Sequence, residues 1–183
     1  MVRLSLLSAV GAAALLSACA PSLGPPPPNG PPRSEPPPVS SNAAFSAADF
    51  AWSQRPGGNI IAGHVAYMEG AQRYTCAGSS VVLTPETAWS RRRMAALYGS
   101  VEQAALPTEE VRARTASAPQ GDAGPYVKRT TCDEAGQFAF GGLADGAWFA
   151  ITIAHPAREP KGATVALMRR VVVRGGRTFP LSL

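Results

Sequence analysis

Residues 126–154 read YVKRTTCDEAGQFAFGGLADGAWFAITIA, and the fold class follows from them. The runs 126–132 and 137–140 are strand-like and are separated by Asp133-Glu134-Ala135-Gly136, an Asp-x-x-Gly sequence suited to a tight turn. Residues 148–154 (WFAITIA) alternate as a strand between two packed layers should. Upstream, 60–67 (IIAGHVAY) place Ile61, Val65 and Tyr67 on one face and Ala62, His64 and Ala66 on the other. The run 79–84 (SSVVLT) is closed by Pro85, which cannot donate a ladder bond in mid-sheet. Downstream, 164–173 and 177–183 flank Arg174-Gly175-Gly176, whose glycines supply the positive φ of a hairpin turn.

These are seven candidate strands. One helix stands out at 87–98 (TAWSRRRMAALY), with Met94, Leu97 and Tyr98 at helical spacing and Gly99 where a left-handed residue ends a helix. Residues 100–125 are rich in Ala, Pro, Thr and Glu without clear periodicity. They read as a long excursion with at most a short helix at 109–114, and loops of that length are uncommon without a purpose. The expectation is an all-β, seven-stranded antiparallel β-sandwich with one short helix and a long inserted loop.

Composition supports one folded domain. The chain has 183 residues, 45% hydrophobic and 16% charged, which suits a packed core and excludes disorder along its whole length. Eighteen prolines and eighteen glycines argue against a long-helix bundle. Three cysteines and two histidines are too few for a Cys/His zinc framework, and no Walker A loop, GxGxxG or HExxH occurs. The net charge of +5 weakly favours anionic surfaces such as lipid headgroups and is no nucleic-acid signature.

The first nineteen residues, MVRLSLLSAVGAAALLSAC, combine one charge at Arg3, an apolar run from Leu4 to Leu16 and small residues up to a cysteine, the pattern of a secretory signal peptide. The apolar run is short for a bilayer span. Leu16-Ser17-Ala18-Cys19 resembles the bacterial lipobox. That resemblance implies cleavage before Cys19, a diacylglycerol and an N-acyl chain (palmitate-type) on Cys19, and membrane attachment through them. The alternative is an ordinary signal peptide with Cys19 a passive thiol. By the same resemblance, Ala20 and Pro21 in place of an aspartate favour the periplasmic face of the outer membrane. Residues 21–38 hold ten prolines in eighteen positions. Such a segment favours polyproline II and could space a domain roughly 60–70 Å from the lipid; the alternative is a ligand for a proline-recognising groove. The expected organisation is a signal peptide at 1–18, a lipidated cysteine and tether at 19–42, and a β-sandwich domain at 43–183.

The domain also resembles a family. Gly63-His64-Val65, Cys76-Ala77-Gly78 leading into Val81-Val82-Leu83-Thr84-Pro85, Thr131-Cys132-Asp133, Gly136-Gln137-Phe138-Ala139-Phe140, Leu143 and Gly146-Ala147-Trp148 occur in the order seen in carboxypeptidase regulatory-like domains. The resemblance covers roughly residues 58–183 and implies a transthyretin-like (prealbumin-type) Greek-key sandwich. The tryptophan-containing N-terminal piece, the arginine-rich helix and the 100–125 excursion depart from a minimal domain of that kind.

Each candidate site has two readings. With Cys19 lipidated, Cys76 and Cys132 remain as an even pair in an oxidising compartment, which predicts a disulfide; two separate buried thiols are the alternative. His64 and His155 could form a metal or acid–base pair, but nothing in their spacing demands it, and structural imidazoles are the simpler reading. Arg91-Arg92-Arg93 could present guanidinium forks to carboxylates or phosphates of a partner. Alternatively they form a solvated face pairing with Glu102, Glu109 or Glu110. Trp52, Trp89 and Trp148 read as core residues before sugar platforms. No G-x-S-x-G or S-x-x-K occurs, no catalytic cysteine with a base stands out, and no catalytic or metal residue is assigned. The expected function is a non-catalytic binding or scaffolding module for another envelope component, protein or cell wall, with no cofactor beyond the acyl chains. The alternative is a peptidoglycan- or glycan-binding accessory domain.

Overall fold

Thr87 begins the first helix by hydrogen bonding rather than by propensity. Its side chain accepts from Ser90 N at 3.1 Å, while Ser90 Oγ accepts from Thr87 N at 2.8 Å and donates to Pro85 O at 2.9 Å. These bonds satisfy donors that a helix N-terminus leaves open. Gly99, at φ 69°, ends the helix and donates to Ala95 O at 2.9 Å. The structure, a computed structural model, describes residues 44–183, which lie in one compact unit, Ser40–Leu183. The expected leader, Cys19 and the proline-rich tether lie outside the described residues.

In chain order the elements are a 3₁₀ segment Ala47–Gln54, then β1 Asn59–His64, β2 Met68–Glu69, β3 Gln72–Thr75, β4 Ser80–Pro85, α1 Ala88–Tyr98, β5 Gln103–Pro107 and α2 Thr108–Arg114. Two further 3₁₀ turns, Thr115–Ser117 and Gly124–Tyr126, lead to β6 Lys128–Thr131, β7 Gln137–Leu143, β8 Gly146–Pro156, β9 Val165–Val173 and β10 Thr178–Ser182. The smaller sheet has the order β10-β1-β7. In the seven-stranded sheet β8 is the hub: it pairs with β3, β4 and β9, which in turn carry β2, β6 and β5.

The two sheets face each other across one core, an open sandwich. Ile61, Phe138, Phe140, Leu143 and Leu181 come from the smaller sheet, and Val81, Leu83, Trp148, Ala150 and Val173 from the larger. Trp148 is completely buried and takes Trp52 edge-on at 5.0 Å. Alternation on β8 sends Phe149 and Ile151 to the opposite face, beside Ala166 and Met168 of β9, where Met94, Leu97, Tyr98 and Ala118 pack against them. The larger sheet is therefore covered on its outer face by the segment that follows β4. Burying such side chains contributes about 1.5–3 kcal/mol each.

Several expectations are corrected. Ten strands rather than seven are present among the described residues, and two α-helices rather than one. The inserted segment 100–125 is not a bare loop. It contains β5, which pairs with β9 from Gln103↔Arg169 to Pro107↔Val165, and it contains α2 close to the expected 109–114. Gln-Ala-Ala-Leu-Pro has no β-branched or aromatic residue, so β5 forms because β9 offers an open edge, not because of local preference. The strand expected over 60–67 ends at His64.

The sheets are not wholly antiparallel either: β10 runs parallel to β1, and β9 and β10 do not form the expected hairpin. Gly175 and Gly176 do have positive φ, 72° and 66°. The chain nevertheless crosses there from one sheet to the other. Gly175 N donates to Asp145 Oδ1 at 3.1 Å and Arg177 N to the buried Asn59 Oδ1 at 3.2 Å, which directs β10 onto β1.

Candidate functional site

Cys76 and Cys132 form a disulfide with Cα atoms 5.7 Å apart, as expected, joining the exit of β3 to the end of β6. The next residue, Asp133, opens the turn that the sequence predicts. Gly136 N donates to Asp133 O at 3.0 Å, Asp133 N to Gln137 O at 2.9 Å, and Gln137 N to Asp133 Oδ1 at 2.8 Å. Gly136 takes φ 74°, a value that suits glycine at this turn. The disulfide and these bonds fix a rigid ledge at one end of the sandwich.

Beside this ledge opens a groove of about 830 Å³. Its polar lining comes from His64 at the end of β1, Arg73 on β3, Thr131, Asp133 and Gln137, all exposed. His64 and Gln137 are cross-strand partners, and the next outward pair is Ala62 and Ala139. With Ala135, these alanines leave part of the lining without bulky side chains. The groove thus brings together a guanidinium, a carboxylate, a carboxamide, an imidazole and a hydroxyl. Together they offer donors and acceptors in several directions, which suits a ligand rich in hydroxyl groups.

The two histidines do not share this site. His64 lies on the smaller sheet, with Ser182 Oγ 3.4 Å from Nε2 in an exposed contact. His155 is on β8, opposite Thr75 in the larger sheet. No carboxylate partners the His64 imidazole among the described residues, and no cluster of three or more His, Cys, Asp or Glu side chains there could hold a metal.

The arginine run is largely built into the fold. Arg91 pairs with Glu86 through Nη1 and Oε1, and Arg170 Nε on β9 reaches the other oxygen, Glu86 Oε2, at 2.7 Å. Arg93 Nη1 donates to Pro119 O at 2.6 Å, with the guanidinium 5.7 Å from the Trp89 ring centroid. Arg92 is half-buried and lines a shallow recess with Phe45, Trp89 and Pro119. Glu102, Glu109 and Glu110 face other arginines: Glu102 lies 3.8 Å from Arg170, and the other two pair with Arg112 and Arg114 on α2. Trp89 and Trp148 are buried, as the core reading has them, and Trp89 Nε1 donates to Gln120 O at 3.1 Å.

Arg73 lies in no motif, Thr131 and Gln137 lie in motifs that speak only for the fold, and sequence reasoning selected none of the three as a site residue. They meet only through the register of three strands from two sheets. Asp133 was legible as a turn residue, not as a lining group.

No family model matches the chain, and no curated protein matches it. Among solved structures the chain is similar to a Pseudomonas aeruginosa protein described as a candidate carbohydrate-binding protein. The TM-score is 0.51 at 18% identity, over 76% of this chain and 97% of that one. At that identity the likeness is one of fold.

Proposed function

We propose that this chain is a non-catalytic glycan-binding module of the bacterial envelope, attached to the periplasmic face of the outer membrane through acyl chains on Cys19 and spaced from it by the proline-rich segment. The observation that carries the reading is the groove in which His64, Arg73, Thr131, Asp133 and Gln137 converge beside a disulfide-fixed turn. Planar polar side chains of this kind each engage two neighbouring hydroxyls, and small apolar side chains accept the C–H faces of a sugar ring. The fold likeness to the Pseudomonas aeruginosa candidate carbohydrate-binding protein supports the same ligand class. We place the domain with the carboxypeptidase regulatory-like, transthyretin-like Greek-key sandwiches on the strength of its sequence motifs.

The expected scaffolding role through Arg91, Arg92 and Arg93 has less support, because Arg91 and Arg93 are engaged within the domain. The test is retention of the purified domain on insoluble peptidoglycan and on a panel of neutral and acidic glycans, repeated with Arg73→Ala/Gln137→Ala. Saturable retention that falls by about tenfold or more in the double variant is expected, the scale of losing two good hydrogen bonds. Equal retention of variant and parent, or none by either, overturns the reading. Pulse labelling of cells with a clickable fatty acid tests the anchor: label on the parent and none on Cys19→Ala is expected.

A further inference from the structure

A second recess lies where α1 and the 121–127 segment meet the outer face of the larger sheet, and it shares no lining residue with the groove above. Its volume is about 340 Å³, within the range of ligand pockets. Val82, Met94, Leu97 and Ile151 supply its apolar lining, with Val82 and Ile151 only half-covered. Val82 and Arg129 are register partners on β4 and β6, so Arg129 stands on this face.

Two polar features point to a ligand. Tyr98 is only 7% exposed and lines the recess, yet its hydroxyl has no hydrogen-bond partner among the described residues. That hydroxyl is not among the buried, unpartnered side-chain atoms of the described residues, so it opens into the recess as a free donor and acceptor. Arg129 is exposed and has no ion-pair or hydrogen-bond partner among the described residues. Arg93, held by Pro119 O and the Trp89 ring, adds its charge to the same mouth. Asp122 is the one acidic side chain in the lining, and its Oδ1 accepts Gly124 N at 2.9 Å. Two guanidiniums against one carboxylate leave the mouth cationic.

We infer that this recess binds a small carboxylate with an apolar body, its hydrocarbon over Met94, Leu97, Val82 and Ile151, its carboxylate on Arg129 with the charge of Arg93 beside it, and one carboxylate oxygen accepting from the Tyr98 hydroxyl.

The test is calorimetric titration of the full chain with 3-phenylpropionate and with its neutral amide. Saturable binding of the acid is expected, with the amide about tenfold weaker, the scale of a charge-assisted hydrogen bond. Arg129→Gln should weaken the acid by a similar factor, and Arg174→Gln, an exposed arginine elsewhere, should leave it unchanged. Tyr98→Phe should weaken binding about fivefold while the Tm holds, because the hydroxyl makes no hydrogen bond within the described residues. No saturable binding up to about 10 mM, equal affinity for acid and amide, or unchanged affinity in Tyr98→Phe would each overturn the site. Glycan retention through Arg73 and Gln137 is a separate measurement, so either reading can fail alone.

Discussion

The ring of Phe138 occupies the space into which a side chain on Gly63 would project: an added Cβ would stand 2.2 Å from Cζ and 2.4 Å from Cε2. The two residues are register partners on β7 and β1, and both lie on the core side of the smaller sheet. Gly63 is therefore fixed by a neighbour's volume, not by its own backbone angles. Gly63→Ala should destabilise the domain by about 1–3 kcal/mol, the usual cost of overpacking. Phe138→Leu should reduce that penalty when the two are combined, giving a coupling between them in urea denaturation. Wild-type stability for Gly63→Ala would contradict the packing described.

The disulfide closes 56 residues of chain and holds the ledge of the groove. Cys76→Ser/Cys132→Ser should lower stability by about 4 kcal/mol on the chain-entropy view, and a reductant should lower the parent toward the variant. Denaturation midpoints with and without reductant read both effects. Glycan retention by the double serine variant should fall as well, because Asp133 follows Cys132 directly.

Asn59 is fully buried, and its amide is satisfied on both sides. Nδ2 donates to Leu143 O at 2.9 Å and to Asp145 Oδ1 at 2.8 Å, and Oδ1 accepts from Arg177 N. Asn59→Leu removes these bonds and takes from Arg177 N its acceptor, at about 1–3 kcal/mol. Hydrogen exchange of the β10 amides should accelerate more than that of β9, since the bonds lost are those that turn β10 onto β1.

Glu86 receives both Arg91 and Arg170, tying α1 to β9. Glu86→Gln should cost about 1–2 kcal/mol, because it takes the carboxylate from Arg91 and leaves Arg170 only its longer contact with Glu102. The loss should be larger than that of Glu109→Gln, whose pair with Arg112 is exposed. Thermal melts of the two variants in parallel make the comparison.

Tyr98 links stability to alkaline pH. Its folded pKa, pushed up by burial to about 12, lies above the ordinary 10.0, with Arg93 opposing the shift. The unfolded chain therefore loses this proton first. The contribution of Tyr98 is intact below about pH 10 and is lost as pH rises toward about 12, at up to about 1.4 kcal/mol per pH unit. Tyr98→Phe should show a shallower decline over that window, and identical slopes would refute the linkage.

Much of the fold was legible where one residue's chemistry is local. Asp133 to Gly136 make the expected turn, Thr87 and Gly99 bound the expected helix, and Trp148 alternates with Phe149 as a strand between two layers requires. The sequence patterns failed where an element owes its form to a neighbour. Strand β5 has no strand-forming residues and exists through the edge of β9. The arginines of α1 looked like a surface display, but the chain folds Glu86 and Pro119 against two of them.

Sequence alone determined that the folded part is a β-rich sandwich, where its main turns fall, and which two cysteines could bond, because alternation, turn chemistry and residue counts act over a few positions. Tertiary structure decided that β10 runs parallel to β1 and not back along β9, because the hydrogen bonds that redirect it come from Asn59 and Asp145, far away in the chain. It also decided which polar side chains share a groove: His64, Arg73 and Gln137 come from three separate strands, and only sheet register brings them together.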